Sequence, residues 1–327
     1  MLWFSLSILF GFVLLVWGAD RFVIGAAALA HNLGVSSLLI GLTIVGFGTS
    51  APEVLVSLMA AWNGNPGLAI GNAIGSNITN VALVLGMTAL VVPLTVGSTT
   101  LKREYPMLIL VTLLACALMW DGELSTGDGW ILLGVLLVVL FLLWRIAVGQ
   151  RQADPFGAEI DEEIPADMSN GAAFGWFLLG LAVLLASSRM LVWGAVGIAH
   201  AFGVSDLVIG LTIVALGTSL PELAASVGSA IKGEHDIAIG NVIGSNIYNL
   251  LGVLAMPALL APGALAAEIL TRDLPVMLSL TLALFLMAYG FRGPGRINRF
   301  EGALLTLAFI AYEGYLFYSA AALSSLP

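Results

Sequence analysis

The stretch GFGTSAPEVLVS, residues Gly46–Ser57, places a proline and a glutamate inside strongly apolar sequence. Pro52 lacks a backbone N–H and clashes with the carbonyl four residues earlier, so a helix through this stretch must kink or unwind. Carbonyls freed by such a break cannot point at lipid, because a bilayer offers them no hydrogen-bond partner. Glu53 costs roughly 3 kcal/mol or more near the centre of a bilayer unless it is paired. If the stretch crosses a membrane, it therefore predicts a broken helix whose polar groups have a partner.

The composition of the whole chain is that of a polytopic membrane protein. Of its 327 residues, 60% are hydrophobic and 9% are charged, and the mean hydropathy is +1.05. A soluble domain carries about 25% charged residues. With a net charge of −9, the chain offers no basic surface for nucleic acid, and beside the lipid bilayer no obligate protein partner is predicted. The single cysteine, Cys116, excludes an intramolecular disulfide and a thiolate metal cluster.

Hydropathy predicts ten membrane spans. The first begins at the N-terminus, which has neither the basic segment nor the cleavage site of a signal peptide. The predicted spans cover residues 2–30, 36–62, 66–94, 104–120, 128–148, 171–201, 206–231, 236–261, 274–291 and 300–323. A polar, acidic stretch at 150–169 divides them into five and five.

The two halves of the chain repeat one another. HNLGVSSLLIGLTIVGFGTSAPE (31–53) matches HAFGVSDLVIGLTIVALGTSLPE (200–222), and AIGNAIGSNITN (69–80) matches AIGNVIGSNIYN (238–249). Both matches have the same offset of 169 residues. A chance match would not keep one register over this length, so we infer a duplication.

An odd number of spans in each copy sets the topology. Because each copy has five spans, the second copy must enter the membrane from the opposite side. The predicted fold is therefore an all-α polytopic membrane protein of ten helices, arranged as two inverted five-helix repeats. The first repeat covers 1–149 and the second covers 170–327, with an acidic cytoplasmic loop at 150–169 between them.

Basic residues predict the orientation. With the N-terminus outside, most of them fall in or beside cytoplasmic loops, as the positive-inside rule requires. Only Arg272 lies clearly in an outer loop. We therefore expect the N-terminus and the C-terminus to lie outside the cell. The basic residues assigned to the cytoplasmic side are Lys102, Arg103, Arg145, Arg151, Lys232, Arg292, Arg296 and Arg299.

The seventh span repeats the break of the second, with Pro221 and Glu222 at the positions of Pro52 and Glu53. Proline kinks, small residues and hydroxyls are common in transmembrane helices for packing alone. The two glutamates differ, because no basic residue lies at a comparable depth to pair with them. Since the acid occurs in both halves, we interpret the pair as an intramembrane cation site.

The third and eighth spans carry neutral oxygen donors. Ser76 and Asn80 are four residues apart and share one helix face, and Ser245 and Asn249 do the same in the second half. Hydroxyl and amide oxygens suit hard cations such as calcium and sodium, although hydrogen bonding between helices also explains their presence. Asn77 and Asn246 point away from this face, where they would lie behind the ligands. Asn72 and Asn241 fit either role, as ligands or as hydrogen-bonding groups between helices.

Charge narrows what such a site can hold. Glu53 and Glu222 carry −2 when both are ionised, which one divalent or two monovalent cations neutralise, whereas an anion is repelled. Without an ion, two neighbouring carboxylates are expected to share a proton. Exchange of a divalent cation for sodium or for protons follows from this arrangement.

GTSAPE with GNAIGSNITN, and GTSLPE with GNVIGSNIYN, resemble the α1 and α2 repeats of the calcium/cation antiporter superfamily. The resemblance is strongest to prokaryotic sodium/calcium exchangers and covers nearly the whole chain. It implies a secondary antiporter of the prokaryotic inner membrane, not an enzyme, that exchanges calcium for sodium by alternating access. No cofactor is expected, because calcium and sodium are the transported ions. The second, third, seventh and eighth spans would form the ion-binding core, and the first and sixth would slide against it.

The resemblance also implies a set of metal-binding residues. Calcium would bind the side chains of Glu53 and Glu222 and the backbone oxygens of Thr49 and Thr218. The sodium sites would add four hydroxyls and two backbone carbonyls, from Ser50, Ser219, Ser76, Ser245, Gly46 and Ala215.

Asn80 and Asn249 complete the predicted site. Some relatives carry an aspartate where this chain has Asn249, so here the site has two carboxylates and not three. Relatives that also transport potassium tend to have the acid, which argues against potassium dependence in this chain. Coupling to protons stays open.

Three other functions compete with sodium/calcium exchange. The same fold could serve a calcium/proton antiporter or another cation/proton antiporter. An intramembrane hydrolase could use two acids as a catalytic dyad, but such dyads use aspartates and would leave the flanking Thr, Ser and Asn side chains without a role. A channel can contain broken helices, but paired fixed charges in inverted repeats fit alternating access better.

Overall fold

The computed structural model describes residues 2–34, 40–64, 66–150, 168–201, 215–289 and 295–324, which are almost entirely helical. Nearly all of the predicted acidic loop lies outside the described residues.

The first half begins with one long helix, α1 (Leu2–Leu33). A π-helical turn at Gly41–Val45 leads into the short helix α2 (Gly46–Thr49), and α3 (Ala51–Trp62) follows after a break. The other elements of this half are α4 (Pro66–Thr79), a π-helical segment at Asn80–Leu85, α5 (Gly86–Val91), β1 (Leu94–Val96), α6 (Ser98–Leu118), β2 (Glu123–Leu124) and α7 (Thr126–Gln150).

The second half follows the same order of elements. It begins with α8 (Asn170–Ala201), and the break separates α9 (Ala215–Thr218) from α10 (Leu220–Ile231). The other elements are α11 (His235–Tyr248), a π-helical segment at Asn249–Val253, α12 (Ala255–Leu260), β3 (Gly263–Ala264), a π-helical turn at Ile269–Asp273, α13 (Leu274–Ala288), β4 (Gly295–Ile297) and α14 (Arg299–Ser324).

The two breaks have the same backbone geometry. Ser50 has φ −79° and ψ 6°, and Ser219 has φ −88° and ψ 4°. In each half the proline lies in the first turn of the helix that follows, where its missing N–H costs no intrahelical hydrogen bond. In the first half the helices on either side of the break meet at 51°. The proline that interrupts one helix therefore starts the next.

Six continuous helices are long and apolar enough to cross a membrane, and a seventh is added if the bent pair Gly41–Thr49 and Pro52–Trp62 forms one span. This count refers to the described residues, which omit 202–214, where the predicted seventh span begins. The protein is thus a mostly helical polytopic membrane protein. The ten-span count and the inversion of the repeats stay predictions.

The third and eighth predicted spans form the centre of the molecule. Within the most apolar 18-residue stretch of Pro66–Val91, 72% of the residues are buried, and in the same stretch of His235–Leu260 the share is 83%. The corresponding share is 22% in both Leu2–Leu33 and Thr126–Arg145. The helices that carry the predicted neutral ligands are therefore enclosed by the others.

The long helices α1 and α8 pack closely along each other at the periphery. A Cβ on Gly25 would lie 2.3 Å from the backbone nitrogen of Phe177, and one on Gly180 would lie 2.3 Å from that of Phe22. Only glycine permits this approach, because backbone atoms cannot rotate aside.

Two short antiparallel ribbons join distant loops. In one, β1 pairs with β4, with Leu94 opposite Ile297; in the other, β2 pairs with β3, with Leu124 opposite Gly263. Each ribbon connects the first half to the second.

Arg272 was predicted in an outer loop but is helical, while its position on the outer side stays a prediction. Arg272 belongs to the helical turn Ile269–Asp273, and its Nε and Nη2 donate to Asp273 Oδ1 (2.6 Å) and Oδ2 (3.1 Å). Tyr312 also donates to Asp273 Oδ1, at 2.8 Å. Hydropathy excluded this segment because of its charges, but the adjacent acid neutralises the arginine and allows the helix to include both.

Candidate cation site

Two fully buried glutamates start the helices that follow the breaks. Glu53 lies in the first turn of α3 and Glu222 in the first turn of α10, and both are 0% exposed. A helix N-terminus favours a carboxylate by about 1 kcal/mol at most in ordinary surroundings. That is far less than the cost of burying an unpaired charge. The glutamates therefore need a further source of positive charge.

The described residues supply no cation to either glutamate. Arg21 and Lys232 pair with Asp20, and Arg272 pairs with Asp273, so these three cations are engaged away from the glutamates. Among the described residues, Ser50 Oγ of the first half donates to Glu222 Oε1 of the second at 3.1 Å.

Several buried oxygens of the predicted site have no hydrogen-bond partner among the described residues. They belong to acid, amide and hydroxyl groups, which are the donors that hard cations prefer. The atoms are Glu53 Oε1 and Oε2, Glu222 Oε2, Asn80 Oδ1, Asn249 Oδ1 and Ser219 Oγ. This donor set contains two carboxylates and neutral oxygens, so it fits a cation and not an anion.

Contacts between the halves gather the predicted residues in one place. Asn80 Nδ2 donates to Asn246 Oδ1 at 3.1 Å, and Ser245 Oγ donates to the backbone oxygen of Gly46 at 3.3 Å. The predicted carbonyl of Gly46 and the predicted hydroxyl of Ser245 are thus in direct contact. Asn246 was expected to lie behind the ligands and not among them, and it bonds to the predicted ligand Asn80.

Close backbone contact allows this convergence. A Cβ on Gly244 would lie 2.3 Å from the backbone oxygen of Leu42, and one on Gly46 would lie 3.1 Å from the backbone nitrogen of Ser245. The glycines of α11 and α2 therefore let the broken helix of one half cross the central helix of the other.

The remaining predicted residues lie in the same buried region. Thr49 is enclosed, and its hydroxyl lies 3.0 Å from Asn241 Oδ1. Ala215 begins α9, and its side chain is outside the described set. The other predicted residues are buried too: Ser50, Ser76, Asn80, Thr218, Ser219, Ser245 and Asn249.

Two serines that the sequence interpretation omitted also lie here. Ser57 and Ser226 are buried, and each accepts a hydrogen bond from an asparagine, Asn72 and Asn241 respectively. They lie four residues after the glutamates, at the repeat offset of 169. The repeat places a serine at this position in both copies, but that pattern alone does not show what the hydroxyl bonds to.

The sequence profile of the sodium/calcium exchanger protein family matches residues 3–145 and 172–318. The chain belongs to the sodium/calcium exchanger family. As a member of that family it is a transporter and not an enzyme. The profile omits the residues around the acidic loop, so its match covers the two halves separately.

Relatives span almost the full length of this exchanger-family chain. The CaxA protein of Alkalimonas amylolytica is 51% identical over 96% of this chain and 99% of its own length. Inner membrane protein YrbG of Escherichia coli (strain K12) is 42% identical over 94% and 95%. Sodium/calcium exchanger MaX1 of Methanosarcina acetivorans is 34% identical over 96% and 98%.

A solved structure has the same fold. The sodium-calcium exchanger NCX_Mj, soaked with Na+ and Sr2+, superposes with a TM-score of 0.80 at 33% identity. The match covers 100% of this chain and 99% of the other.

Proposed function

We propose that this protein exchanges calcium for sodium across the membrane by alternating access. The observation that carries the proposal is the pair of fully buried glutamates, one from each half, with Ser50 of one half bonded to Glu222 of the other. Paired buried charge needs a cation, and a site shared between two halves can be exposed to either side as the halves move. The names of MaX1 and NCX_Mj support sodium as the exchanged ion.

The proposed ligands are those that the family resemblance implies, together with Asn80 and Asn249 from the residue pattern. Calcium binds the carboxylates of Glu53 and Glu222 and the backbone oxygens of Thr49 and Thr218. Sodium also uses the serine hydroxyls, the amide oxygens and two carbonyls, from Ser50, Ser76, Ser219, Ser245, Asn80, Asn249, Gly46 and Ala215. The buried, unpartnered oxygens of the glutamates, Ser219 and both amides support this set.

The proposed architecture keeps ten spans in two inverted repeats, 1–149 and 170–327, around the loop at 150–169. With alternating spans, the loops holding β1 and β4 fall on one side and those holding β2 and β3 on the other. The observed strand pairs agree with that alternation. Positive charge assigns the first side to the cytoplasm, which places both termini outside a prokaryotic inner membrane.

Transport by purified protein in liposomes tests the function. An outward-directed sodium gradient, with sodium loaded inside, is imposed on right-side-out and inverted vesicles, and uptake of radioactive calcium is followed. We expect sodium-driven uptake by the natural chain and a loss of at least about 100-fold in Glu53→Gln and Glu222→Gln, because each removes one of two charges at the ion. Glu313→Gln, the same substitution in α14 outside the site, is the control variant and should transport calcium normally.

The same assay decides between the coupling ions. Calcium uptake that ignores sodium but follows an imposed pH gradient would replace sodium/calcium exchange by calcium/proton exchange. Calcium flux that needs neither a sodium gradient nor a pH gradient and that approaches the rates of a channel would contradict antiport altogether.

A further inference from the structure

An amide of α4 holds one turn of α3 in the first half. Asn72 Nδ2 donates to the backbone oxygen of Glu53 (3.0 Å) and to Ser57 Oγ (3.0 Å). Ser57 Oγ in turn donates to the backbone oxygen of Ala69 in α4, at 3.1 Å. Because Glu53 and Ser57 are four residues apart, these contacts fix both ends of one helical turn. We call Asn72 with Ser57 the first clamp.

The second half contains the same arrangement. Asn241 Nδ2 donates to the backbone oxygen of Glu222 (3.2 Å) and to Ser226 Oγ (2.9 Å). Asn241 with Ser226 is the second clamp. Thr49 Oγ1 of the first half also donates to Asn241 Oδ1, at 3.0 Å. Both polar atoms of the Asn241 amide are thus bonded to protein groups.

We propose that the two clamps are positioning elements for ion binding, which hold the glutamate-bearing turns so that both carboxylates reach one cation. This inference rests on the proposed function. It assigns to Asn72, Asn241, Ser57 and Ser226 a role that differs from ligation: they bond to the backbone beneath the ligand and not to the ion.

The position of the glutamates explains why a clamp is needed. Each lies in the first turn of its helix, where the backbone N–H groups have no intrahelical partner. Such a turn is held less firmly than the interior of a helix. Calcium accepts ligands only at about 2.3–2.6 Å, so a small rotation of the turn withdraws the carboxylate. A bond to the glutamate's own backbone oxygen limits that rotation directly.

The contacts of the two clamps predict the same direction of effect. Removal of Asn72 releases Glu53. Removal of Asn241 releases Glu222 and also breaks the bond to Thr49, which lies just before the break in the other half. We therefore expect both Asn72→Ala and Asn241→Ala to weaken calcium binding.

The test separates affinity from capacity. Calcium uptake into liposomes is measured as a function of calcium concentration for the natural chain, Asn72→Ala, Asn241→Ala, Ser226→Ala and the double variant Ser226→Ala/Asn241→Ala. We expect the half-saturating calcium concentration to rise about tenfold in Asn241→Ala, as for the loss of one to two hydrogen bonds, with the maximal rate per folded molecule kept within about twofold. Ser226→Ala, a milder change, should give a smaller rise in the same direction.

Two controls keep the inference falsifiable. Ser187→Ala removes an equally buried hydroxyl, bonded to the backbone oxygen of Leu184 in its own helix, and should leave half-saturation unchanged. The double variant should resemble Asn241→Ala alone, because both changes break one clamp and are not additive. Lower yield or melting temperature with unchanged half-saturation in every clamp variant would overturn the inference, as would full additivity.

The outcomes also separate this inference from the proposed function. If the natural chain moves no calcium, the proposed function itself fails. If it transports calcium and the clamp variants keep its half-saturation, only the clamps are refuted.

Discussion

The two halves of this protein carry the same motif and use it differently. Ser50 Oγ of the first half donates to Glu222 at 3.1 Å, whereas the equivalent Ser219 Oγ faces Glu53 without completing a hydrogen bond of that geometry among the described residues. Both carboxylate oxygens of Glu53 lack one as well within that part of the chain. The same residue type at the same motif position therefore has different contacts, and the difference comes from how the halves pack.

Such asymmetry is what alternating access requires of a duplicated protein. If one half moves against the other, each copy of the motif takes up two sets of contacts in turn. Under the proposed function, the structure represents one of these two arrangements. Variants at equivalent positions of the two halves then test which contacts exist only in this arrangement and which exist in both.

The largest expected difference lies between Gly244 and Gly75, which are equivalent positions in α11 and α4. A Cβ on Gly244 would lie 2.3 Å from the backbone oxygen of Leu42, while one on Gly75 would meet nothing within 4 Å among the described residues, which do not include position 211, the equivalent of Leu42. We expect Gly244→Ala to destabilise the protein by about 3 kcal/mol through overpacking. Gly75→Ala should stabilise it by about 0.5 kcal/mol, because alanine favours the helix.

Thermal unfolding in detergent micelles measures this comparison. A large drop in melting temperature is expected for Gly244→Ala alone. Equal drops for both variants would mean that the two halves pack alike, which would remove the asymmetry.

A smaller difference is expected between Ser50 and Ser219. Ser50→Ala removes a hydrogen bond to a buried carboxylate, which is worth about 1.5 kcal/mol or more and corresponds to about tenfold in affinity. Ser219→Ala removes a hydroxyl without such a bond in this arrangement. Calcium titration of the detergent-solubilised protein by calorimetry, without sodium, should show weaker binding in Ser50→Ala. Identical affinities in the two variants would refute the assignment of the contact.

The smallest effect concerns the ion pair between Lys232 and Asp20, for which the first half has no lysine at the equivalent position. Lys232 Nζ lies 2.6 Å from Asp20 Oδ1 of α1, and the residue equivalent to Lys232 in the first half is Asn63. Because both side chains are partly exposed, Lys232→Met should lower stability by about 1 kcal/mol at most. The loss should disappear in about 1 M choline chloride, since salt screens exposed pairs. A loss that persists at high salt would indicate packing of the lysine stem instead.

Much of the helical framework was predictable from hydropathy and the repeat. The helix α8 was expected at 171–201 and lies at Asn170–Ala201, and α7 was expected at 128–148 and lies at Thr126–Gln150. The error was larger for α6, which begins at Ser98 and not at 104. Apolar windows locate the part of a helix in lipid, but helices continue into polar sequence that they do not detect.

The residues of the candidate site were predictable where a side chain is unusual for a membrane span, and not where it is common there. Glu53 and Glu222 stand out because an acid in apolar sequence needs an explanation. Ser57 and Ser226 do not, because a hydroxyl in a transmembrane helix usually bonds to its own backbone. Nothing in the residue pattern separates such a serine from one that accepts a bond from a neighbouring helix.

The sequence by itself determined the membrane class, the duplication, the two breaks and the residues that carry charge into the bilayer. It could do so because each of these follows from local chemistry: apolar length, a repeated register, proline geometry and the cost of a buried acid. The tertiary structure alone decided that Ser50 bonds to Glu222 of the other half, that Asn241 bonds to Thr49, and that Gly244 lies against the backbone of Leu42. These are contacts between segments far apart in the chain, and two equal copies of a motif cannot specify how differently they pack.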